Sequence, residues 1–223
     1  MTSPFQAITS LSGTACALPL PHVDTDQIMP KQFLKGIDRQ GLAKGFLHDM
    51  RFDALGQKRS DFVMNQAPWT EAKFLITGPN FGCGSSREHA VWGMRELGIR
   101  CVLGTSFGGI FSDNCMRNGV PALVLPAFEV DRLMALAQDP QSCQMAMDLA
   151  AQTLDTPADG QTLRFDIDPL NQEMLLRGLD AVGMSLTHAP DIHAFEALYL
   201  QANPWVVPPQ KKNPPQKNLH QEN

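Results

Sequence analysis

Three short apolar runs alternate with three helical patterns between residues 73 and 138, and this alternation limits the fold more than any other feature. The runs are 73–77 KFLIT, 100–105 RCVLGT and 121–126 PALVLP, and helical patterns follow them at 85–97, 107–118 and 127–138. Strands that alternate with helices in this way form parallel sheets with helices packed on their faces. The sequence therefore predicts an α/β domain with a mostly parallel sheet, in which Gly119 ends the second helix.

The flanking segments extend this domain on both sides. They are predicted to be a strand or hairpin at 5–18, a short helix at 40–50, an irregular loop at 51–72, strands around a turn within 144–167, and helices at 169–178 and 190–202. We expect one domain over residues 1–202. The tail at 203–223 holds five prolines and offers little apolar surface to bury, so we expect it to be disordered.

Composition excludes several classes of protein. The 223 residues carry a formal net charge of -5, which disfavours nucleic-acid binding, since that needs a basic face. No apolar run approaches the roughly 18 residues of a membrane span, and the first residues lack the pattern of a signal peptide. We expect a cytoplasmic protein. The five cysteines are scattered without a CxxC pair, which argues against a metal or iron–sulfur site built by this chain alone.

The stretch 78–90, GPNFGCGSSREHA, supports two interpretations. In the structural one, Ser85 and Glu88 form a capping box and the glycines permit a tight turn between strand and helix. In the functional one, a helix N-terminus at the carboxyl end of a strand binds an anion. Arg87 would then hold a carboxylate, and a serine oxygen could act as a base. The stretch is neither a P-loop nor a dinucleotide fingerprint.

Several separate motifs carry a resemblance to a known family. NFGCGSSREHA at 80–90 and DTDQIMPKQFLK at 24–35, with matching segments at 106–119 and 163–188, closely resemble the small subunits of 3-isopropylmalate dehydratase in the aconitase superfamily. The resemblance covers nearly all of residues 5–202. It departs from the family pattern outside the GSSR core, which leaves room for a paralogue with a shifted substrate; the departures are His22, Val91, Gly93, Met94, Gly108 and Gly109.

The resemblance implies a fold, a partner and a reaction. The fold would be the swivelling β/β/α domain, similar to the small domain of aconitase. The chain would bind no metal or cofactor itself, and a large subunit would supply a 4Fe-4S cluster whose open iron acts as a Lewis acid. The pair would isomerise a 2-hydroxy diacid, 2-isopropylmalate, to 3-isopropylmalate in leucine biosynthesis, by removing water and adding it back in the other orientation.

The resemblance also implies roles for individual residues. Ser85 would be the general base, Arg87 would bind a substrate carboxylate, and Ser86 would bind substrate or support Ser85. The segment after Asp24 and Asp26 would be a substrate-recognition loop; its candidates are Lys31, Gln32, Phe33, Leu34 and Lys35. An apolar Phe33 or Leu34 would suit an isopropyl group, while the aspartates are expected to be turn residues that hold this loop, with no metal between them.

Two other functions stay open from the sequence. One is the small subunit of a related hydro-lyase that acts on homocitrate, citraconate or a methylmalate, because a one-methylene difference in an apolar pocket changes binding by only about 1–3 kcal/mol. The other is an anion-binding interaction domain without a catalytic role, in which Ser85 only caps a helix.

Overall fold

The computed structural model describes residues 5–35 and 40–206. Seven strands are present in this part of the chain: β1 Ser10–Leu18, β2 Phe74–Thr77, β3 Cys101–Gly104, β4 Ala122–Val124, β5 Gln144–Asp148, β6 Thr153–Thr156 and β7 Gln161–Arg164. The α-helices are α1 Thr25–Ile28, α2 His48–Arg51, α3 His89–Leu97, α4 Gly109–Arg117, α5 Ala127–Ala137, α6 Pro169–Arg177, α7 Ala181–Leu186 and α8 Ala189–Ala202. Short 3-10 helices lie at Lys31–Phe33, Val63–Asn65, Trp69–Glu71 and Pro204–Val206.

All seven strands form one mixed sheet in the order β4-β3-β2-β1-β5-β6-β7. The pairs β1–β2, β2–β3 and β3–β4 are parallel, whereas β1–β5, β5–β6 and β6–β7 are antiparallel. The predicted α/β domain is confirmed, and the alternating segment 73–138 forms the outer part of the parallel half. The antiparallel half adds three strands, and β1 lies between the two halves, parallel to β2 and antiparallel to β5.

Alternate residues of the parallel strands bury two opposite faces of the sheet, because successive side chains of a strand point in opposite directions. On one face, Cys16, Leu75 and Val102 belong to a core cluster that includes the apolar residues of α3 and α4. On the other face, Phe74 and Leu103 belong to a second cluster that includes the apolar side of α5. Helices therefore cover both faces of the parallel strands, as a parallel sheet requires.

Most of the predicted helix ends agree with local capping chemistry. Asp168 accepts a hydrogen bond from the Asn171 N–H at 3.0 Å and begins α6, and Gly178 ends it in the left-handed conformation. Gly119 follows α4 with φ of +69°, as predicted. The helix predicted at 40–50 is wrong in extent, since only His48–Arg51 is α-helical there. Helix α7 was not predicted.

The chain divides into two compact units, Met1–Gly183 and Met184–Asn223. The first holds the whole sheet. In the second, α8 begins at Ala189 and the 3-10 helix Pro204–Val206 follows it, at the start of the tail predicted to be disordered. The rest of that tail, 207–223, lies outside the described residues. The expectation of one domain over 1–202 stays a prediction. No helix in the described ranges is long and apolar enough to cross a bilayer.

Candidate active site

Three loops meet beyond the carboxyl ends of β1, β2 and β3. The loop after β1 pairs with the loop after β2 through a parallel bridge between Asp24 and Cys83, and the loops after β2 and β3 pair through Phe81 and Phe107. The Gly82 N–H donates to the Val23 carbonyl at 2.7 Å. In open α/β sheets this edge is where ligands bind, and the structure brings the glycine loop, residues 78–88, to its centre.

Two glycines let the glycine loop approach its neighbours. Gly84 has φ of +96°, and a Cβ there would lie 3.5 Å from Thr25 Oγ1. Gly82 has φ of +75°, and a Cβ there would lie 2.2 Å from the Phe111 ring. Both positions need the left-handed region, which side chains rarely adopt. The predicted role of these glycines in a tight turn is confirmed.

Ser85 sits on the exposed side of the glycine loop and its hydroxyl touches a buried threonine. Ser85 Oγ lies 2.9 Å from Thr25 Oγ1, and the Ser85 backbone N–H donates to the same Thr25 oxygen at 3.1 Å. Thr25 is only 1% exposed. Its own N–H donates to the Cys83 carbonyl at 2.9 Å. The Ser85 hydroxyl, which was predicted to be reactive, is therefore hydrogen-bonded to a buried residue and also exposed to solvent.

Arg87 is held by a carboxylate of the same chain. Its guanidinium forms an ion pair with Asp26, while its side chain stays 18% exposed. The hydrogen bond from Arg87 lowers the pKa of the Asp26 carboxyl, and the charge of Lys31 adds to this effect. Asp24, Thr25 and Asp26 therefore contact every second residue of the loop, namely Cys83, Ser85 and Arg87.

The predicted capping box at Ser85 and Glu88 is wrong. Helix α3 begins at His89, and Glu88 accepts hydrogen bonds from Asn118 Nδ2 at 2.7 Å and Trp92 Nε1 at 3.3 Å instead. The reason is tertiary: the contacts of residues 85 and 87 with the loop after β1 hold this segment outside the helix. A capping box does occur in that loop, where Asp24 and Gln27 bond reciprocally to each other's backbone N–H.

Comparison with known proteins places this arrangement in a family. The family model of the aconitase C-terminal domain matches residues 5–127, and the model LeuD_N matches residues 131–169. The small subunit 1 of 3-isopropylmalate dehydratase from Mannheimia succiniciproducens is 48% identical, over 89% of this chain and 97% of its own length. The small subunit from Caulobacter vibrioides is 47% identical, over 90% and 98%. The chain belongs to the family of 3-isopropylmalate dehydratase small subunits.

A solved structure agrees with this family. The crystal structure of 3-isopropylmalate dehydratase from Methanocaldococcus jannaschii superimposes with a TM-score of 0.60 at 25% identity, over 84% of this chain and 99% of that one. The swivelling, aconitase-type fold expected from the sequence is therefore confirmed.

The remaining predicted site residues fall into two groups. Ser86 is exposed in the glycine loop, beside Ser85. Residues 31–35 follow α1 as a 3-10 helix and a turn, with Lys31, Gln32 and Lys35 exposed. Phe33 and Leu34 are partly buried against the core, and the Phe33 ring lies 4.7 Å from the His48 ring. Their packing occupies much of the apolar surface predicted to face substrate.

The cysteines of this chain do not fit an iron–sulfur cluster. Cys16, Cys101, Cys115 and Cys143 are buried, and only Cys83 is half-exposed. Burial raises the pKa of the Cys16 thiol to about 12, whereas a cluster needs thiolates. In residues 5–35 and 40–206, no three His, Cys, Asp or Glu side chains converge in a way that could hold a metal ion.

Sequence reasoning missed the roles of Thr25 and Asp26, which it treated as parts of a turn. One signal was available, since Asp24 and Gln27 have the spacing of a capping box and predict a helix that begins at residue 25.

Two of the departures from the family pattern, Gly93 and His22, make contacts near the site. Gly93 lets α3 approach the loop after β1, because a Cβ there would lie 2.3 Å from Met29 Cε. His22 Nδ1 lies 3.0 Å from Asn80 Nδ2.

Proposed function

We propose that this chain is the small subunit of 3-isopropylmalate dehydratase, a hydro-lyase that isomerises 2-isopropylmalate to 3-isopropylmalate in leucine biosynthesis. The observation that carries the proposal is that an exposed Ser85 and a half-buried Arg87, two residues apart in the glycine loop, both lie at the carboxyl edge of the sheet. This arrangement occurs in a chain that is 48% identical to a small subunit of that name, over 89% of this chain and 97% of that relative.

Ser85 is the general base of the proposed reaction. As the alkoxide, its oxygen takes a proton from the carbon next to the hydroxyl-bearing carbon of the substrate, and the electron pair of the broken C–H bond forms the C=C bond as the hydroxyl group leaves. A serine hydroxyl has a pKa far above neutrality, so its anion needs stabilising charge nearby. Arg87 supplies one positive charge.

Arg87 binds a carboxylate of the substrate in this proposal. A guanidinium carries five N–H donors in a plane, and the ion pair with Asp26 is made through one terminal nitrogen, Nη1. The rest of the planar group can grip a carboxylate through two hydrogen bonds. Negative charge builds on that carboxylate as the neighbouring proton leaves, so the contact strengthens in the transition state. Ser86, exposed beside Ser85, donates a further hydrogen bond to substrate.

The exposed residues of the 31–35 segment complete the substrate side. The charge of Lys31 contributes to the lowered pKa of the Asp26 carboxyl, and Lys31 is exposed in the 3-10 helix that follows α1. We assign Lys31 to the second carboxylate of the diacid, with Gln32 and Lys35 at the rim. Because Phe33 and Leu34 are partly buried against the core, only their exposed surface can contact the isopropyl group of the substrate.

The proposal includes a partner and a place in the cell. The large subunit binds the 4Fe-4S cluster and this chain binds none, because its buried thiols do not fit one. The two subunits form a heterodimer or a larger assembly in the cytoplasm, without nucleic acid or membrane. The isolated chain is therefore expected to be colourless and inactive.

The test is to co-express the chain with a cluster-bearing large subunit, purify the complex without oxygen, and assay a panel of 2-hydroxy diacids. We expect turnover of 2-isopropylmalate, and Ser85→Ala should lower it about 10²- to 10⁴-fold, which is the usual contribution of a general base. Ser60→Ala, which changes an exposed serine of the loop between α2 and the 3-10 helix Val63–Asn65, is the matched control and should leave turnover unchanged.

Two results would contradict the proposal. A complex that prefers homocitrate, citraconate or a methylmalate would assign the chain to a related hydro-lyase. An assembled Ser85→Ala complex with full activity would show that this loop only binds or positions anions, and that the base lies on the large subunit.

A further inference from the structure

The hydroxyl of Thr25 is the only side-chain group that the described structure brings into hydrogen bond with Ser85 Oγ. Thr25 is almost fully buried, and its backbone is fixed by the hydrogen bond from its N–H to the Cys83 carbonyl. The reciprocal bonds between Asp24 and Gln27 hold the start of α1, on which Thr25 is the first residue. The threonine oxygen is thus a preformed part of the site.

The number of hydrogens decides whether Thr25 Oγ1 donates to Ser85 Oγ or accepts from it. Each hydroxyl has one hydrogen, and only one of the two can lie between the oxygens of Thr25 and Ser85. Thr25 Oγ1 accepts the Ser85 N–H at 3.1 Å and keeps a second acceptor site and its own hydrogen, so either hydroxyl can donate while both are neutral. When Ser85 has lost its proton, its oxygen can only accept. At that moment Thr25 is the donor between the two oxygens, 2.9 Å apart.

The geometry points to Thr25 as a positioning residue that donates a hydrogen bond to the Ser85 alkoxide before that alkoxide takes the substrate's proton. The inference rests on the proposed function of Ser85 as base. A hydrogen bond to the charged form favours it, and O–H···O⁻ bonds are about twice as strong as neutral ones. Thr25 keeps its own proton throughout, while the proton from carbon ends on Ser85.

This assistance speeds the reaction even though it makes the base weaker. A serine pKa lies far above neutrality, so only a very small fraction of Ser85 is ionised. Lowering that pKa raises the ionised fraction in full proportion, whereas the reactivity of the anion falls by less, following Brønsted behaviour. The net effect of the hydrogen bond is therefore a higher rate of proton abstraction.

The test compares Thr25→Val and Thr25→Ser in the assembled complex with an intact cluster. Valine keeps the shape and loses the hydroxyl, and serine keeps the hydroxyl. We expect Thr25→Val to lower kcat roughly 10- to 100-fold, as for loss of one hydrogen bond to a charged group, with KM changed by less than about threefold. Thr25→Ser should turn over near the wild-type rate.

A kinetic isotope effect separates chemistry from packing. With substrate deuterated at the carbon that loses its proton, Thr25→Val should show a larger primary isotope effect than wild type, because proton abstraction becomes more rate-limiting. When Thr25→Val is added to Ser85→Ala, turnover should fall no further, because the alkoxide that Thr25 would stabilise is absent.

The outcomes distinguish this inference from the proposed function. Full activity of the Ser85→Ala complex would show that Ser85 is not the base, and would overturn both the proposed function of Ser85 and the role of Thr25. Loss of activity in Ser85→Ala, together with unchanged kcat and isotope effect in Thr25→Val, overturns the role of Thr25 alone. Equal losses in Thr25→Val and Thr25→Ser, or a change confined to KM, also overturn it. If Thr25→Val does not assemble, Thr25→Ala replaces it, and failure of both to assemble would mark Thr25 as purely structural.

Discussion

Replacing Arg87 with lysine tests whether the planar group, rather than the charge, binds the substrate carboxylate. In the structure the Arg87 side chain is 18% exposed, and its guanidinium is ion-paired with Asp26 through Nη1. An arginine can keep this contact and still present further N–H donors in the same plane. A lysine ammonium is a compact point charge without this fork, so it cannot hold Asp26 and grip a carboxylate through two hydrogen bonds at once.

The size of the effect follows from the bonds lost. Arg87→Lys replaces two N–H···O bonds to the carboxylate by at most one, and a hydrogen bond to a charged group contributes about 1.5–3 kcal/mol. Each 1.4 kcal/mol corresponds to about a tenfold change in rate, so kcat/KM should fall roughly 10- to 150-fold. Part of the loss should appear in kcat, because charge develops on the carboxylate in the transition state.

The assay measures kcat and KM of the assembled complex, whose size and cluster absorbance are checked first, since lost assembly would imitate lost chemistry. Arg177→Lys is the matched control. Arg177 pairs with Glu173 at 2.7 Å on the surface of α6, so its replacement by lysine should leave both constants unchanged. The reasoning is refuted if Arg87→Lys behaves like this control, because the carboxylate would then bind elsewhere.

Three further predictions concern the loops around the site. Gly82→Ala should destabilise the fold by more than about 1 kcal/mol, because its φ is +75° and the new Cβ would meet Phe111; Gly160→Ala, at φ of +67° with open space around it, should cost less in the same thermal melts. Asp26→Asn should lower Tm at neutral pH. This difference should shrink as the pH falls below about 4 and through the lowered folded-state pKa of Asp26, since the carboxylate stabilises the fold only while it is ionised; an unchanged difference at acid pH would contradict the ion pair. Cys83 should react with a thiol reagent before the four buried cysteines, and Cys83→Ser should abolish the fast phase.

The sequence by itself determined the order of the elements in the parallel half of the sheet. Short apolar runs such as Phe74–Thr77 and Cys101–Gly104 are buried on both faces, so their pattern is continuous and local. Helix ends set by one nearby residue, such as Gly178 after α6, were predictable for the same reason. Helix α7 at Ala181–Leu186 has only six residues and was not predicted, although Asp180 caps its start by accepting the Gly183 N–H at 2.7 Å.

The sequence also predicted roles for Ser85 and Arg87, through the resemblance of the glycine-rich segment to a known family, and these roles stay predictions. What surrounds these two residues was decided by the tertiary structure. Thr25 lies 60 residues before Ser85 in the chain, and no local pattern relates the two. They meet because β1 and β2 are parallel neighbours, which brings the loops after both strands to the same edge of the sheet.

The start of α3 shows how tertiary contacts override a local signal. Ser85 and Glu88 have the spacing of a capping box, which would begin a helix close to Ser85. In the folded chain Ser85 contacts Thr25 and Arg87 contacts Asp26, so the helix begins four residues later, at His89. Local capping contributes only about 1 kcal/mol, which these long-range contacts outweigh. As a result the serine hydroxyl stays exposed at the edge of the sheet instead of serving as a helix cap.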